Sequence, residues 1–127
     1  MKPLNVILIS PWNKYSEAEA EKYRNLSHQL RELKIKSSYA PKKGVFIGLL
    51  DLIARQGDRG DKYLILTDGN MSPEDLAFIQ ERLARIRHGA ERVSNIPEFN
   101  DAKDLAKKLV EWSKKLEIQP KKRVESE

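Results

Sequence analysis

The sequence predicts an α/β fold, a small three-layer Rossmann-like domain with the element order βαβαβαβα and a mostly parallel four-stranded sheet. Residues 4–9 and 63–67 form short apolar runs, which are typical of strands buried on both faces. Between and after these runs, apolar residues recur at spacings of three and four, which predicts amphipathic helices. Strands that alternate with helices form parallel sheets through right-handed crossovers, and the most economical strand order is 2-1-3-4.

The size and composition of the chain limit its organisation. A length of 127 residues suits one domain, so we expect residues 1–118 to fold as a single α/β domain and residues 119–127 to form a basic, disordered tail. The absence of cysteine excludes disulfides, thiolate nucleophiles and cysteine-bound metals. Without a long apolar run or a signal-peptide pattern, the sequence predicts a cytoplasmic protein that does not enter a membrane. Abundant Lys, Glu and Arg are typical of a thermophile.

The first strand is followed by a helix and then by an edge strand. Ser16 and Glu19 have the spacing of a capping box, which predicts that a helix begins there. The edge strand is predicted over residues 35–40, before a Pro-Lys-Lys-Gly turn. Four residues form the inner stripe of the helix: Tyr23, Leu26, Leu30 and Leu33.

The second half of the chain repeats this alternation. Residues 45–54 are apolar almost all round, and periodicity alone allows either a buried helix or a strand followed by a short helix; length and the need for a crossover favour the helix. Ser72 and Pro73 begin the next helix, which we expect to run to His88 with an inner stripe of Leu76, Ile79, Leu83 and Ile86. A fourth strand is predicted over residues 92–96, and Asn100 is the expected cap of a last helix.

Candidate ligand-binding residues follow the first three strands. In sheets of this order, ligands bind at the carboxyl edge, where the strand order reverses between strands one and three. Asp68 ends strand three there and is the strongest candidate. This set suits a phosphate or a nucleotide with its base on Trp12, although the same residue types also form ordinary turns and caps, and Trp12 could instead cover the sheet edge. The other candidates are Ser10, Trp12, Asn13, Lys42, Lys43, Asn70 and Ser72.

Several common sites are excluded by missing residues. No glycine-rich loop follows strand one, so neither ATP nor NAD binding is indicated, and the sequence predicts no cofactor and no metal. The acidic or hydroxyl residues that receiver, von Willebrand A and Toprim domains carry after strand one are also missing. His28 and His88 are far apart in the sequence and fit surface or structural roles better than catalysis.

The start of the chain resembles a known family. The run Val-Ile-Leu-Ile-Ser-Pro-Trp at residues 6–12, Ser-Glu-Ala-Glu at 16–19, the leucine-striped helix and Tyr-Ala-Pro at 39–41 together resemble the first third of nucleoside 2-deoxyribosyltransferase-like domains. The resemblance implies that Glu74 attacks the anomeric carbon of a nucleoside, that Asp68 orients the sugar or base, that Trp12 stacks on the base, and that no metal is needed. The family's run of small residues before the nucleophile is absent.

A second hypothesis belongs to a different class. The net charge of +5 favours a non-catalytic module that binds nucleic acid or an acidic protein. Its candidate residues also fit an ordinary solvated face and tail, because acidic residues are interleaved with them. Whether the domain is an enzyme stays open at this point. The basic candidates are Arg82, Arg85 and Arg87 on the third helix and Lys121, Lys122 and Arg123 in the tail.

Overall fold

The computed structural model describes residues 4–14, 16–56, 61–85 and 89–118. Strands and helices alternate strictly along this part of the chain, in the predicted order. The elements are β1 (Leu4–Ile9), α1 (Glu17–Glu32), β2 (Lys36–Ala40), α2 (Lys43–Gln56), β3 (Asp61–Thr67), α3 (Pro73–Ala84), β4 (Gly89–Asn95) and α4 (Ala102–Ile118).

The four strands form one parallel sheet in the order β2-β1-β3-β4. β1 is central: Ile9 pairs with Ala40 of β2 on one side and with Thr67 of β3 on the other. The predicted α/β Rossmann-like fold and the strand order are therefore confirmed.

Each face of the sheet carries its own apolar layer. Val6 and Leu8 of β1 pack with α1 and α4, whereas Ile7 and Ile9 pack with α2 and α3. Strands covered on both faces are apolar at nearly every position, which explains the nearly continuous runs in the sequence. The helices contribute the buried residues Tyr23, Leu26, Leu30, Leu105 and Leu109 on the first face and Phe46, Leu50, Ile79 and Leu83 on the second.

Helix α1 begins and ends with defined backbone motifs. At its start, the hydroxyl of Ser16 accepts a hydrogen bond from the backbone N–H of Glu19 at 3.2 Å, as the capping box predicted. At its end, Lys34 has a φ of 71°, in the left-handed region. The N–H of Ile35 reaches back to the carbonyl of Leu30 at 3.0 Å, which completes a Schellman-type C-cap. This cap uses Ile35, so β2 starts one residue later than predicted.

Residues 45–54 lie within α2, so the helix that the sequence favoured is confirmed. Phe46 and Leu50 of α2 are buried against the sheet, while Val45, Ile47 and Leu52 on its outer side remain 42%, 37% and 51% exposed. The apolar character that made the periodicity ambiguous thus comes from a helix with apolar residues on both sides.

Two boundaries near the end of the chain differ from prediction. Helix α3 ends at Ala84 and β4 begins at Gly89, so the helix is shorter and the strand starts earlier than expected; Ile86 and His88 lie outside the described residues. Asn100 does not cap α4, because Asp101 stands directly before it and its side chain accepts the Asp104 N–H at 2.8 Å.

Two further predictions concern the end of the chain and insertion into a membrane. Residues 119–127, the predicted basic tail, lie outside the part of the chain that the structure describes. Of the helices that it does describe, none combines the length and the apolar character needed to cross a bilayer.

Candidate ligand site at the carboxyl edge of the sheet

The carboxyl ends of β1 and β3 lie side by side. Ile9 pairs with Thr67, and the N–H of Asp68 donates to the carbonyl of Ile9 at 2.9 Å. Beyond this point the chain leaves β1 toward α1 on one face and leaves β3 toward α3 on the other. The structure therefore has the predicted reversal point, and Asp68 stands directly at it.

Two donors from different elements hold the carboxylate of Asp68. Oδ1 accepts the backbone N–H of Asn70 at 2.9 Å, and Oδ2 accepts the hydroxyl of Tyr23 at 3.2 Å. The side chain is only half-buried. Because each carboxylate oxygen has further lone pairs, the group can still accept hydrogen bonds from a ligand that carries hydroxyl or amino groups.

The hydroxyl of Tyr23 belongs to a pair of stacked tyrosines. The rings of Tyr23 and Tyr39 lie 5.3 Å apart at 25°, and the hydroxyl of Tyr39 is 2.6 Å from Oγ of Ser10. Burial, together with the negative charge of Asp68, raises the pKa of Tyr23 above its ordinary value. Tyr23 therefore stays protonated and acts as a hydrogen-bond donor.

Sequence reasoning missed both tyrosines as site residues. Tyr23 was assigned only to the inner stripe of a helix, and Tyr39 only to an edge strand and a family resemblance. The available signal was chemical: a buried tyrosine needs a partner for its hydroxyl, and the polar residues at the carboxyl edge were the nearest candidates.

Trp12 lies on the opposite side of the sheet edge from the tyrosines. Its indole N–H donates to the carbonyl of Ala40 at 3.2 Å, and its ring lies 5.6 Å from that of Phe46 and 6.1 Å from that of Phe78. It packs against the apolar layer of α2 and α3. Of the two roles considered for Trp12, covering the sheet edge agrees with these contacts.

The two candidate lysines stand at the start of α2. Nζ of Lys43 is 3.9 Å from Oδ1 of Asp75 and 4.7 Å from the ring centroid of Phe78. Lys42 is exposed, and its carbonyl accepts the first backbone hydrogen bonds of the helix. Lys42 thus holds the N-cap position without a short capping side chain, and the first turn of α2 has no acidic residue.

The starts of the other three helices that leave this edge are different. The Ser72 hydroxyl caps α3 by accepting the N–H of Asp75 at 3.1 Å, as the Ser16 hydroxyl caps α1. Acidic residues occupy the first turns of α1, α3 and α4. Among the helices that leave the described carboxyl edge, α2 therefore has the start best suited to a negative charge.

The remaining candidates are divided between buried and exposed positions. Ser10 is 2% exposed and its hydroxyl is in contact with that of Tyr39, so it belongs to the buried side of this edge. Glu74 is exposed in the first turn of α3, and Asn13 and Asn70 are exposed in loops. The structure therefore joins Asp68 and Ser10 to the tyrosines, and it leaves Glu74 outside this network.

The arginines of α3 have local contacts. Arg85 pairs with Glu81 at 3.0 Å, and the guanidinium of Arg82 lies 5.0 Å from the ring centroid of Phe78. His28, on α1, is exposed beside Glu32. Four basic candidates lie outside the described residues: Arg87, Lys121, Lys122 and Arg123.

The described residues form no cluster of three or more acidic or histidine side chains that could hold a metal ion. Comparison of the chain with protein families, with curated proteins and with solved structures found no match.

Proposed function

We propose that this domain binds a small phosphorylated ligand that carries hydroxyl groups, such as a nucleotide, at the carboxyl edge of its sheet. The observation that carries the proposal is that one edge of the sheet holds two groups, one suited to a sugar and one suited to a phosphate. Asp68 offers a carboxylate held by two hydrogen bonds at the reversal point, and the start of α2, on the other side of β1, offers a basic first turn without an acidic residue.

The carboxylate suits the sugar part of such a ligand. Its two protein donors fix its position, so little ordering is required when a ligand binds. In dinucleotide-binding domains an acidic residue accepts the hydroxyls of a ribose in the same way. Asp68 would accept the hydroxyls of the bound sugar with its remaining lone pairs.

The start of α2 suits the phosphate. The first backbone N–H groups of a helix lack partners within the helix and point toward its N-terminal end. Lys42 and Lys43 add positive charge beside them, and the first turn of α2 has no acidic residue of its own; Asp75 of α3, 3.9 Å from Nζ of Lys43, offsets part of this charge. The ligand would therefore extend from Asp68 toward β2.

The test distinguishes the protein's contacts to the sugar from its contacts to the phosphate. Isothermal titration with inorganic phosphate, AMP and 2′,3′-dideoxy-AMP should give binding of all three, with AMP the tightest. In Lys42→Gln the affinity for all three should fall about threefold to tenfold, because a phosphate contact is lost. In Asp68→Asn only AMP should lose affinity, by a similar factor.

Lys107→Gln on α4 is the matched control, since it removes the same charge from another exposed position. Equal affinities of AMP and dideoxy-AMP for the native protein would contradict the role of Asp68. If Lys107→Gln weakened phosphate binding as much as Lys42→Gln, phosphate would be held by general electrostatic attraction and not by a site at the start of α2. Glycosyl transfer by Glu74 and binding of nucleic acid by the basic residues stay predictions of the sequence.

A further inference from the structure

A second groove lies at the opposite, amino end of the sheet. It has a volume of about 590 Å³, within the roughly 300–1,000 Å³ of typical small-ligand sites. Its floor is formed by residues 5–7 of β1, residues 36–38 of β2 and Tyr63 of β3, and its apolar wall is formed by Leu49, Leu52 and Ile53 of α2. None of the candidate residues at the carboxyl edge lines it.

Among the described residues that line this groove, every charged side chain is basic. Arg31, Lys34 and Lys36 line its rim, and none of the other described lining residues is acidic. All three cationic side chains are exposed. The groove therefore combines an apolar wall with a positive rim, which is the complement of a molecule with an apolar body and an anionic end.

A polar group on the floor lacks a partner. Nδ2 of Asn5 is buried and makes no hydrogen bond, although leaving a buried amide donor unpaired is unfavourable. Asn5 lines the groove and is the register partner of Lys36. An anionic oxygen beside Lys36 would supply the acceptor that this amide lacks.

We propose that the groove binds a small amphipathic anion, with its carboxylate or phosphate group between Asn5, Lys34 and Lys36 and its apolar chain or ring against Leu49, Leu52 and Ile53. The positive rim is what selects this occupant. If two copies of the chain met at this groove by twofold symmetry, the three rim cations of one copy would face the same three cations of the other.

The test uses octanoate, with octyl phosphate as the second head group. Titration followed by ¹⁵N–¹H correlation spectra should shift the side-chain amide signal of Asn5 and the backbone signals around residues 34–38 and 49–53. 1-Octanol lacks the charge and acetate lacks the chain, so both should bind at least about tenfold more weakly than octanoate.

Two variants separate the head-group contacts from the wall. The double variant Lys34→Gln, Lys36→Gln should weaken octanoate about fivefold to tenfold, whereas Lys103→Gln, Lys107→Gln on α4 removes equal charge elsewhere and should change nothing. Leu52→Gln should weaken octanoate while Val110→Gln, which alters an exposed apolar residue of α4, should not; both positions are exposed, at 51% and 42%, so the fold tolerates them.

Unchanged octanoate affinity in the rim variant would overturn the proposal, as would shifts confined to residues outside the groove. Dimerisation in the absence of octanoate that octanoate reverses, measured by light scattering, would also overturn it, because the groove would then be a contact between two copies. The outcome is independent of phosphate binding at the carboxyl edge, since Lys42 and Asp68 lie at the other end of the sheet.

Discussion

A single hydroxyl joins helix α1 to the loop after β3. Tyr23 is 5% exposed, and its hydroxyl donates to Asp68 at 3.2 Å. Asp68 was predictable from its place after a buried strand, but its partner was not. Periodicity assigns a helix residue to a face of the helix, and it does not say which loop from a distant part of the chain will meet the end of that side chain.

We predict that Tyr23→Phe lowers the free energy of unfolding at pH 7 by about 1–2 kcal/mol, because it removes one donor from a partly buried carboxylate. The pH dependence should change as well. The pKa of Tyr23 is raised in the folded protein, so the stability it contributes is fully present below about pH 10, the ordinary tyrosine pKa. That contribution is lost as the pH rises through the folded pKa.

Urea unfolding at pH 7, 9 and 11 measures this effect. The native protein should lose more stability between pH 9 and pH 11 than Tyr23→Phe does, and the difference between the two should shrink at the higher pH. An equal loss in both proteins would mean that Tyr23 does not contribute to the alkaline sensitivity.

Among the elements, helix starts were easier to predict than helix ends. Ser16 and Ser72 cap α1 and α3 as their sequence patterns indicated. The end of α1 uses Lys34 in the left-handed region where glycine is usual, so no sequence signal marked it. The end of α3 lies within a stretch of good helix formers, so no sequence signal marks Ala84 as its last residue; Arg85 takes the C-cap position.

Helix α2 contains a glycine in its interior. A Cβ built on Gly48 meets no atom within 4 Å. We therefore predict that Gly48→Ala raises the free energy of unfolding by about 0.5–1 kcal/mol, because alanine loses less backbone entropy on folding. Thermal and urea unfolding monitored by circular dichroism would measure the gain.

Ala77→Gly in α3 is the matched reverse control. Ala77 is also an exposed helix residue, and the substitution should lower stability by a similar amount. A loss of stability in Gly48→Ala would indicate that this side of α2 is in contact with another surface in solution, and that contact would be seen as self-association.

For the whole molecule, the sequence was sufficient to predict the fold and only part of the site. Nearly continuous apolar runs, such as that of β1, indicate a sheet covered on both faces, and short connections leave few strand orders. Which polar groups meet at the sheet edge depends instead on the final packing of helices, as the positions of Trp12 and Tyr39 illustrate. The helices of both apolar layers together determine where the side chains at this edge lie.

Because one sheet separates the two layers, they should unfold together. Leu66 belongs to the layer under α1 and α4, and its neighbour Ile65 to the layer under α2 and α3; both are fully buried. We predict that Leu66→Ala and Ile65→Ala each lower the free energy of unfolding by about 2–5 kcal/mol. Calorimetry should give one transition in each variant.

A calorimetric enthalpy that matches the van't Hoff enthalpy would establish this cooperativity. Two separate transitions in either variant would contradict it, because one layer would then remain folded while the other had unfolded. Lys107→Ala on the outer side of α4 serves as a control and should leave the transition within about 0.5 kcal/mol of that of the native protein.

The chain has two tryptophans, and the fold assigns one to each layer. Trp12 packs with the rings of Phe46 and Phe78, and Trp112 packs on the opposite face against the layer of α1 and α4. Each layer thus has its own fluorophore. Replacing either tryptophan with phenylalanine leaves a single tryptophan, so stopped-flow tryptophan fluorescence can time the burial of each side of the sheet separately during refolding.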